Sequence, residues 1–427
     1  MRIAIVGSGI SGLVSAYLLG REHDITVYEA NDYIGGHTNT VDVDLDGEQL
    51  AVDTGFIVYN DWTYPNFIKL LSELDVASQA TTMSFSVRCD QSGLEYNGTS
   101  LNAMFAQRSN LLRPRFYGFL REIMRFNRES LRILDETTED TTVDEYLTDH
   151  GFTQEFCHKY LIPMGAAIWS CPPETFGQFP IRFVVDFYKN HGLLSVTNRP
   201  TWRVIQGGSQ VYVGKLTQGF RDRIRLNCPV RSVSRTDEGV TVRVDGEESS
   251  FDEVVFACHS DQALAMLEQP TDVERELLGA FPYQENVAVL HTDISVLPRR
   301  RLAWASWNYH RPEEDVANAT VTYNMNILQG LQSKNVYCVT LNEEELIDSQ
   351  KVLARFVYHH PIYTTGRQAA QQRHSEVIRN NRTSFCGAYW KNGFHEDGVN
   401  SALAVCRAYG IGEIGNRKPE TGSPSHA

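Results

Sequence analysis

The residues best suited to chemistry lie near the end of the chain, where His395, Glu396 and Asp397 are consecutive. They belong to the stretch FCGAYWKNGFHEDGVNSAL, between a short strand that ends near Gly387 and a helix of small residues that opens at Gly398. An imidazole or a carboxyl can take a proton from a substrate, and a helix N-terminus carries a partial positive charge. Asp397 is also a candidate N-cap for this helix. We therefore expect a reactive group to be held where the helix begins.

The start of the chain carries a phosphate-binding pattern. Residues 3–6 form an apolar run typical of a buried strand, GSGISG follows with glycines in the G-x-G-x-x-G spacing, and an apolar helix comes next. Such glycines allow a tight turn and close approach of the backbone to a pyrophosphate, which the helix N-terminus attracts. The alternative is a glycine turn between two core elements. The pattern favours a dinucleotide site that includes Gly7, Gly9, Ser11, Gly12 and, about twenty residues later, the ribose-binding acid Glu29.

A second glycine pair follows Glu29, in the stretch NDYIGGHTNT. Here the chain resembles the FAD-dependent amine oxidase and phytoene desaturase superfamily, whose members usually place an arginine after this pair, facing the pyrophosphate. His37 stands in place of that arginine, either as a hydrogen-bond donor to the phosphates or as a solvated loop residue. The resemblance implies FAD, and because we recognise no attachment motif we expect it to be held without a covalent bond. It also implies that FAD contacts Gly36, Gly55 of the segment DTGFIVYN, and Val230 beside the adenine.

The resemblance implies an α/β architecture, with a split Rossmann-type FAD-binding domain of the glutathione reductase type and an inserted α+β substrate domain. The FAD-binding domain would comprise residues 1–75, 200–280 and 375–412, and the substrate domain residues 76–199 and 281–374. Alternating residues in VDVDLDGEQLAVD predict a hairpin that turns at Asp46 and Gly47. Residues 413–427 are polar and rich in Pro, Ser and Gly, which predicts a disordered tail.

In this superfamily the last strand, loop and helix lie under the flavin, and the helix N-terminus points at the N1–C2=O edge. A partial positive charge there favours the negative charge of reduced flavin. His395 and Glu396 are then candidates for a catalytic base, or they orient the flavin or cap the helix. The residues that the resemblance assigns to the flavin are Gly387, Asp397, Gly398 and Val399.

The segment FHEDG departs from the usual amine oxidase pattern. It is similar to that of a bacterial subgroup linked to cyclopropane fatty acid synthases, which acts on fatty acyl chains. This resemblance implies an FAD-dependent oxidoreductase that desaturates a methyl-branched or cyclopropane acyl chain by hydride transfer to flavin N5. Oxygen or an acceptor protein would reoxidise the flavin.

Several different functions remain open at the level of sequence. An amine oxidase could use Tyr389, Trp390 and Phe394 as an aromatic cage, although an amine needs a narrower, more acidic entrance than the basic residues described below suggest. The sequence is also compatible with a redox-neutral flavin isomerase and with a non-enzymatic, flavin-bound lipid carrier. We expect no metal site, because His359 and His360 are neighbours that point to opposite faces of a strand.

Charge and composition limit the kinds of partner and the cellular location that we expect. The net charge of −14 argues against nucleic acid, and the chain has no apolar run long enough to cross a membrane. We expect a cytoplasmic protein with reduced cysteines and with peripheral contact to the inner membrane face; the sequence does not fix the oligomeric state. Membrane contact is predicted from aromatic residues interleaved with basic ones, and the alternative is an ordinary solvated helix face. The basic residues are Arg108, Arg113, Arg115, Arg121, Arg125, Arg128 and Arg132.

Overall fold

A computed structural model describes residues 1–136, 141–195, 197–314, 318–364, 366–412 and 414–415. The predicted tail, residues 413–427, lies outside the described residues except for positions 414 and 415. The domain boundaries given above stay a prediction.

A six-stranded sheet brings the two ends of the chain together. Neighbouring strands are parallel except for the last pair, which is antiparallel. A parallel sheet is covered on both faces, which explains why residues 3–6 and 254–256 are apolar runs with almost no exposed surface. In spatial order the strands are Ile224–Arg225, Asp24–Tyr28, Arg2–Val6, Glu253–Phe256, Thr383–Phe385 and Ile378–Asn380.

A second sheet of seven strands is built from the middle of the chain. All its neighbouring pairs are antiparallel except the pair Trp307–Arg311 and Phe85–Cys89, which is parallel. Its buried side chains form a separate core that includes Phe116 and Phe119 from a covering helix. In spatial order the strands are Val352–Pro361, Tyr283–His291, Cys338–Leu341, Thr320–Asn324, Trp307–Arg311, Phe85–Cys89 and Leu94–Asn97.

Three smaller sheets complete the strands. The predicted hairpin pairs Thr40–Leu45 with Glu48–Asp53, and its turn residues Asp46 and Gly47 have φ angles of 53° and 79°. Two consecutive positive φ angles are what a two-residue hairpin loop requires, and Asp-Gly supplies them at low cost. One of the other two sheets contains the strands Tyr59–Asn60, Trp202–Ile205 and Ser78–Ala80. The other contains Ser232–Arg235, Val240–Val244 and Glu247–Phe251.

The helices between residues 114 and 190 share an aromatic core that includes Trp169, Phe187 and Tyr363. Within the described ranges, no helix is both long and apolar enough to cross a membrane. The α-helices of the chain are Ile10–Leu19, Pro65–Glu73, Leu101–Met104, Pro114–Glu129, Ile133–Glu136, Val143–Asp149, Gln154–Phe156, Ile162–Trp169, Pro173–Gly177, Ile181–Asn190, Gln210–Thr217, Ser260–Met266, Asp272–Gly279, Met325–Leu328, Arg367–Gln372 and His395–Ala408.

Candidate functional site

The glycine turn after the first strand leads into the helix Ile10–Leu19, which we call the phosphate helix. Gly7 has a φ of 106°, and an added Cβ there would lie 2.7 Å from the carbonyl oxygen of Ala257. At Gly12 an added Cβ would overlap the carbonyl oxygen of Gly7. Gly9 is the N-cap and has no side-chain cap, so the first N–H groups of the helix are available to an anion.

The carboxylate of Glu29 lies against this turn. Its Oε2 accepts hydrogen bonds from the backbone N–H and the hydroxyl of Ser8, at 2.9 and 2.6 Å. Its Oε1 accepts two more from Asn31. Gly36, with a φ of 60°, lies on the other side, where an added Cβ would be 3.1 Å from the Cα of Gly9. The structure therefore brings the first glycine turn, the acid and the second glycine pair together.

The closing helix, His395–Ala408, begins beside the start of the phosphate helix. An added Cβ at Gly398 would lie 2.6 Å from Ile10 Cγ2 and 3.0 Å from the hydroxyl oxygen of Ser11, so glycine permits this contact. The prediction that Asp397 is the N-cap is wrong, because the helix begins two residues earlier and Phe394 is the N-cap. Asp397 instead lies in the first turn and accepts the N–H groups of Asn392 and Phe394.

Glu396 caps a different helix. Its two carboxylate oxygens accept the backbone N–H groups of Asn66 and Phe67, at 3.0 and 2.8 Å. These donors are in the first turn of Pro65–Glu73, a helix that has no side-chain cap of its own. Burial raises the pKa of Glu396, and the hydrogen bonds oppose that rise. Glu396 is therefore placed to hold the helix Pro65–Glu73 against the start of the closing helix.

The ring of His395 is buried between polar and aromatic partners. Its Nε2 is 3.0 Å from both Thr38 Oγ1 and the hydroxyl of Tyr212, and its ring stacks on Phe56 with centres 3.5 Å apart. Burial holds the pKa of His395 well below its usual value, so the ring is neutral at pH 7. The catalytic assignments of His395 and Glu396 stay predictions.

A cavity of about 450 Å³ opens beside the start of the closing helix, and we call it the closing-helix cavity. Its ionisable groups include Asp397, whose pKa burial raises to about 7, and His191, whose pKa burial lowers to about 4. Lys189 is exposed and forms no ion pair with another described residue. The lining residues are Trp62, Thr63, Tyr64, Lys189, Asn190, His191, Asn392, Phe394, Glu396 and Asp397.

His37 lies in a group of imidazole rings next to the glycine turn. Its ring centre is 5.4 Å from that of His360 and 6.2 Å from that of His259, and it stacks on Tyr358. Burial is the main cause that lowers the pKa of His37 and His259 to about 4 and that of His360 to about 3. The Nε2 atom of His37 is buried and has no hydrogen-bond partner among the described residues.

These features fit the diphosphate of FAD. A phosphate needs donors and room, and the site offers the uncapped helix after Gly9, the orphaned Nε2 of His37, and open space around Gly9, where an added Cβ would meet no atom within 4 Å. Glu29 would accept hydrogen bonds from a ribose, as its position after the second strand predicts.

Four other predicted site residues have different surroundings. Gly55 packs closely, but on the carbonyl oxygen of His37, which an added Cβ would overlap. Val230 is half-buried and lies two residues after Cys228, which donates its N–H to the carbonyl of Glu29. Gly387 donates its N–H to Ser401, and Val399 is fully buried in the core. The assignment of these residues to FAD stays a prediction.

The partners that surround the predicted residues could not be found from the sequence. Thr38, Tyr212 and Phe56 around His395 are far from it along the chain, and no spacing rule connects them. His259 follows the buried strand 253–256 by three residues, and this position at the carboxyl end of a parallel strand was a usable signal. Among the residues that the structure describes, no group of three or more His, Cys, Asp or Glu is arranged to hold a metal ion.

Comparison with solved structures defines the class of fold. The chain superposes on cyclohexylamine oxidase from Brevibacterium oxydans IH-35A with a TM-score of 0.68 and 15% identity, over 96% of this chain and 99% of the other. It also superposes on a CLA-producing fatty acid isomerase from P. acnes with a TM-score of 0.66 and 15% identity, over 95% and 98% of the two chains. The predicted architecture, a Rossmann-type FAD-binding domain with a substrate domain, is confirmed.

The family follows from the sequence comparisons. Residues 10–293 match the model of the family described as flavin containing amine oxidoreductase. AofH of Mycobacterium tuberculosis, which is described as a flavin-containing monoamine oxidase, is 24% identical over 269 residues, which are 60% of this chain and 56% of AofH. The chain therefore spans just over half the length of this curated relative. It belongs to the flavin containing amine oxidoreductase family, which confirms the predicted superfamily and FAD as the cofactor.

Proposed function

We propose that the protein dehydrogenates a lipid-like substrate, a methyl-branched or cyclopropane fatty acyl chain, that enters the closing-helix cavity. The observation that supports this proposal is the set of charged side chains that line that cavity. Both oxygens of Glu396 are occupied by backbone N–H groups, and Asp397 is partly protonated at pH 7. Lys189 adds a positive charge. An ammonium group would meet this charge and only a partly ionised carboxyl at Asp397, whereas a fatty acid carboxylate or a lipid phosphate could pair with Lys189.

The cavity residues suit the parts of such a reaction. Trp62 and Phe394 offer apolar surface to an acyl chain. Bound FAD supplies the two-electron acceptor, the N5 atom, that takes a hydride from one carbon. A proton must leave the neighbouring carbon, and Asp397 has a pKa of about 7, which suits a proton acceptor at neutral pH. The carboxyl of Glu396 is less suited, because both of its oxygens accept N–H groups of the helix Pro65–Glu73, whereas the bonds to Asp397 reach only its Oδ2.

Amine oxidation is the second candidate function. Trp62 and Phe394 face the same cavity as the carboxyl groups of Glu396 and Asp397, a combination that can bind an amine. Two of the similar proteins, AofH and cyclohexylamine oxidase, are named as amine oxidases. Isomerisation of a double bond is a further variant of the lipid proposal, supported by the likeness of fold to the fatty acid isomerase.

An anaerobic reduction experiment separates these functions. The FAD-loaded protein is mixed with a cyclopropane fatty acid, with a phospholipid that carries the same acyl chain, and with cyclohexylamine, while the oxidised flavin band is recorded. Bleaching by either lipid is the expected result. Bleaching by the amine alone would overturn the lipid proposal, and a rearranged lipid without net bleaching would replace desaturation by isomerisation.

A charge reversal at the cavity tests how the substrate is recognised. Lys189→Glu should raise the KM for the free fatty acid about tenfold with a smaller change in kcat, because the pairing contributes to binding. Lys69→Glu is the matched control, since Lys69 is an exposed lysine that does not line the cavity. An unchanged KM in Lys189→Glu, or an equal rise in Lys69→Glu, would contradict the role of Lys189.

A further inference from the structure

Residues 108–132, which include the turn Arg108–Leu112 and the helix Pro114–Glu129, expose apolar side chains next to arginines, and we call this region the basic surface. Leu112 is 88% exposed and Met124 is 63% exposed, while Leu111 and Tyr117 are each nearly half exposed. The opposite face of the helix is buried through Phe116, Phe119 and Phe126. The exposed leucines are therefore not needed to anchor the helix to the protein.

The charge of the basic surface is opposite to that of the whole chain. Residues 108–132 contain seven arginines and two glutamates, a net charge of +5 in a chain of net charge −14. Glu129 is paired with Arg125 and Arg128, and Glu122 accepts hydrogen bonds from Thr153. The arginines that form no ion pair with other described residues are Arg108, Arg113, Arg121 and Arg132.

A groove of about 940 Å³ runs along the same helix. One wall is formed by four arginines of the helix with Met124 and Glu122, and the other by Gly151, Thr153, Gln154 and Glu155, which pairs with Arg115. The four arginines outnumber the two glutamates of the lining, and this excess of positive charge suits an anionic headgroup whose phosphate meets guanidinium groups. The four arginines are Arg115, Arg121, Arg125 and Arg128.

We propose that the basic surface docks the protein on membranes rich in anionic phospholipid, with Leu111 and Leu112 entering the interface and the arginines contacting lipid phosphates. Exposed apolar side chains beside a cluster of arginines are the combination that binds anionic bilayers, because burial of apolar groups and charge attraction add. A purely solvated helix face would explain the arginines, but not four exposed apolar side chains within one short segment, at Leu111, Leu112, Tyr117 and Met124.

The basic surface belongs to the same structural unit as the closing-helix cavity. Phe126, on its buried face, shares a core with Phe187 and Tyr363, and Phe187 stacks on Phe394 with ring centres 5.0 Å apart. Phe394 lines the cavity. Docking would therefore hold the cavity close to a membrane. The docking proposal does not depend on the substrate, because vesicle binding is measured without turnover and either proposal can fail alone.

Flotation of the FAD-loaded full chain with vesicles tests the docking. Vesicles of phosphatidylcholine with phosphatidylglycerol should carry the protein, vesicles of phosphatidylcholine alone should not, and binding should weaken from about 0.1 to about 0.5 M salt. Arg121→Glu with Arg128→Glu should weaken binding about 20-fold or more, since each arginine near an anionic surface contributes about fivefold. Leu111→Asp with Leu112→Asp should also reduce binding, at unchanged flavin content.

Matched controls decide the interpretation. Arg221→Glu with Arg223→Glu changes the same charge at an exposed turn outside the basic surface, and Leu346→Asp changes a leucine that is 50% exposed elsewhere. Equal loss in these controls would overturn the proposal, because it would reflect net charge alone. The absence of binding to anionic vesicles would also overturn the proposal. So would a purely ionic interaction, in which DNA or inorganic phosphate displaces the protein from vesicles and the variant with the Leu111 and Leu112 substitutions still binds them normally.

Discussion

Replacing Glu396 by glutamine separates a structural carboxylate from a catalytic one. Glu396 is 5% exposed, and its two oxygens accept N–H groups of the helix Pro65–Glu73. Proline at the first position of that helix has no N–H group, so Asn66 and Phe67 supply the donors of the first turn. Glutamine has the same shape but only one accepting oxygen. It can therefore satisfy one of these donors and leaves the other facing an NH₂ group.

The size of the effect follows from this count of donors. A buried donor without an acceptor costs about 1–3 kcal/mol, so we expect Glu396→Gln to lower the free energy of unfolding by about that amount. Glu396→Ala leaves both donors unsatisfied and should cost about 2–6 kcal/mol. The raised pKa of Glu396 shows that burial of its charge offsets part of the gain from the bonds, which favours the lower half of both ranges for the ionised form.

Two measurements check the prediction. Thermal unfolding should show a lower Tm for Glu396→Gln, whereas the rate of anaerobic flavin reduction at saturating substrate should fall less than about tenfold, well short of the roughly 10²–10⁴-fold typical of a lost general base. Glu145→Gln, an exposed acid in the capping box of the helix Val143–Asp149, is the control and should leave the rate unchanged. An unchanged Tm with a rate reduced about 100-fold would refute the capping argument and restore Glu396 as the base.

Two further predictions concern FAD binding. Gly9→Ala should fold with an unchanged Tm, since Gly9 has a φ of −68° and open space around it. It should lose about tenfold or more in FAD affinity, because the methyl group occupies the space at the helix N-terminus. Gly214→Ala, also in open space, is the control, and full FAD affinity in Gly9→Ala would contradict the location of the diphosphate. FAD release, followed by flavin fluorescence, should slow as the pH falls from 8 to 6. The rings of His37 and His259 are neutral before binding, with pKa values of about 4, and a diphosphate raises these values, so binding takes up protons and strengthens at lower pH. His37→Arg carries a permanent charge and should flatten this dependence, and an equal pH dependence in the wild type and His37→Arg would show that the ring does not meet the phosphates.

The groups around His37 set the direction of that pH effect. Burial and the neighbouring rings of His259 and His359 oppose protonation of His37, whereas a hydrogen bond to the backbone of His359 favours it, and the carboxylate of Glu285 lies 3.6 Å from the ring of His359. The phenols of Tyr33, Tyr283 and Tyr358 stay protonated, because burial raises the pKa of each. A diphosphate next to the turn at Gly9 is therefore the change that favours uptake of a proton.

Local rules allowed part of the site to be found from the sequence. The glycine spacing at Gly7, Gly9 and Gly12, the acid at Glu29 and the turn at Asp46 each follow from what a short stretch of backbone can do, and each has the predicted surroundings or conformation. The start of the closing helix was placed three residues late, because Asp397 is a good N-cap by residue type but here lies in the first turn and accepts bonds from Asn392 and Phe394, which precede the helix.

The sequence by itself determined the nucleotide-binding architecture, because strand, glycine turn, helix and acid are encoded within thirty consecutive residues and their geometry is set by the local backbone. Only the tertiary structure decided which groups surround His395, Glu396 and His37. Glu396 accepts from residues about 330 positions away, and the pKa of each imidazole depends on how far packing removes it from water. Such partners are chosen by which surfaces pack together, and neither residue type nor spacing along the chain records that choice.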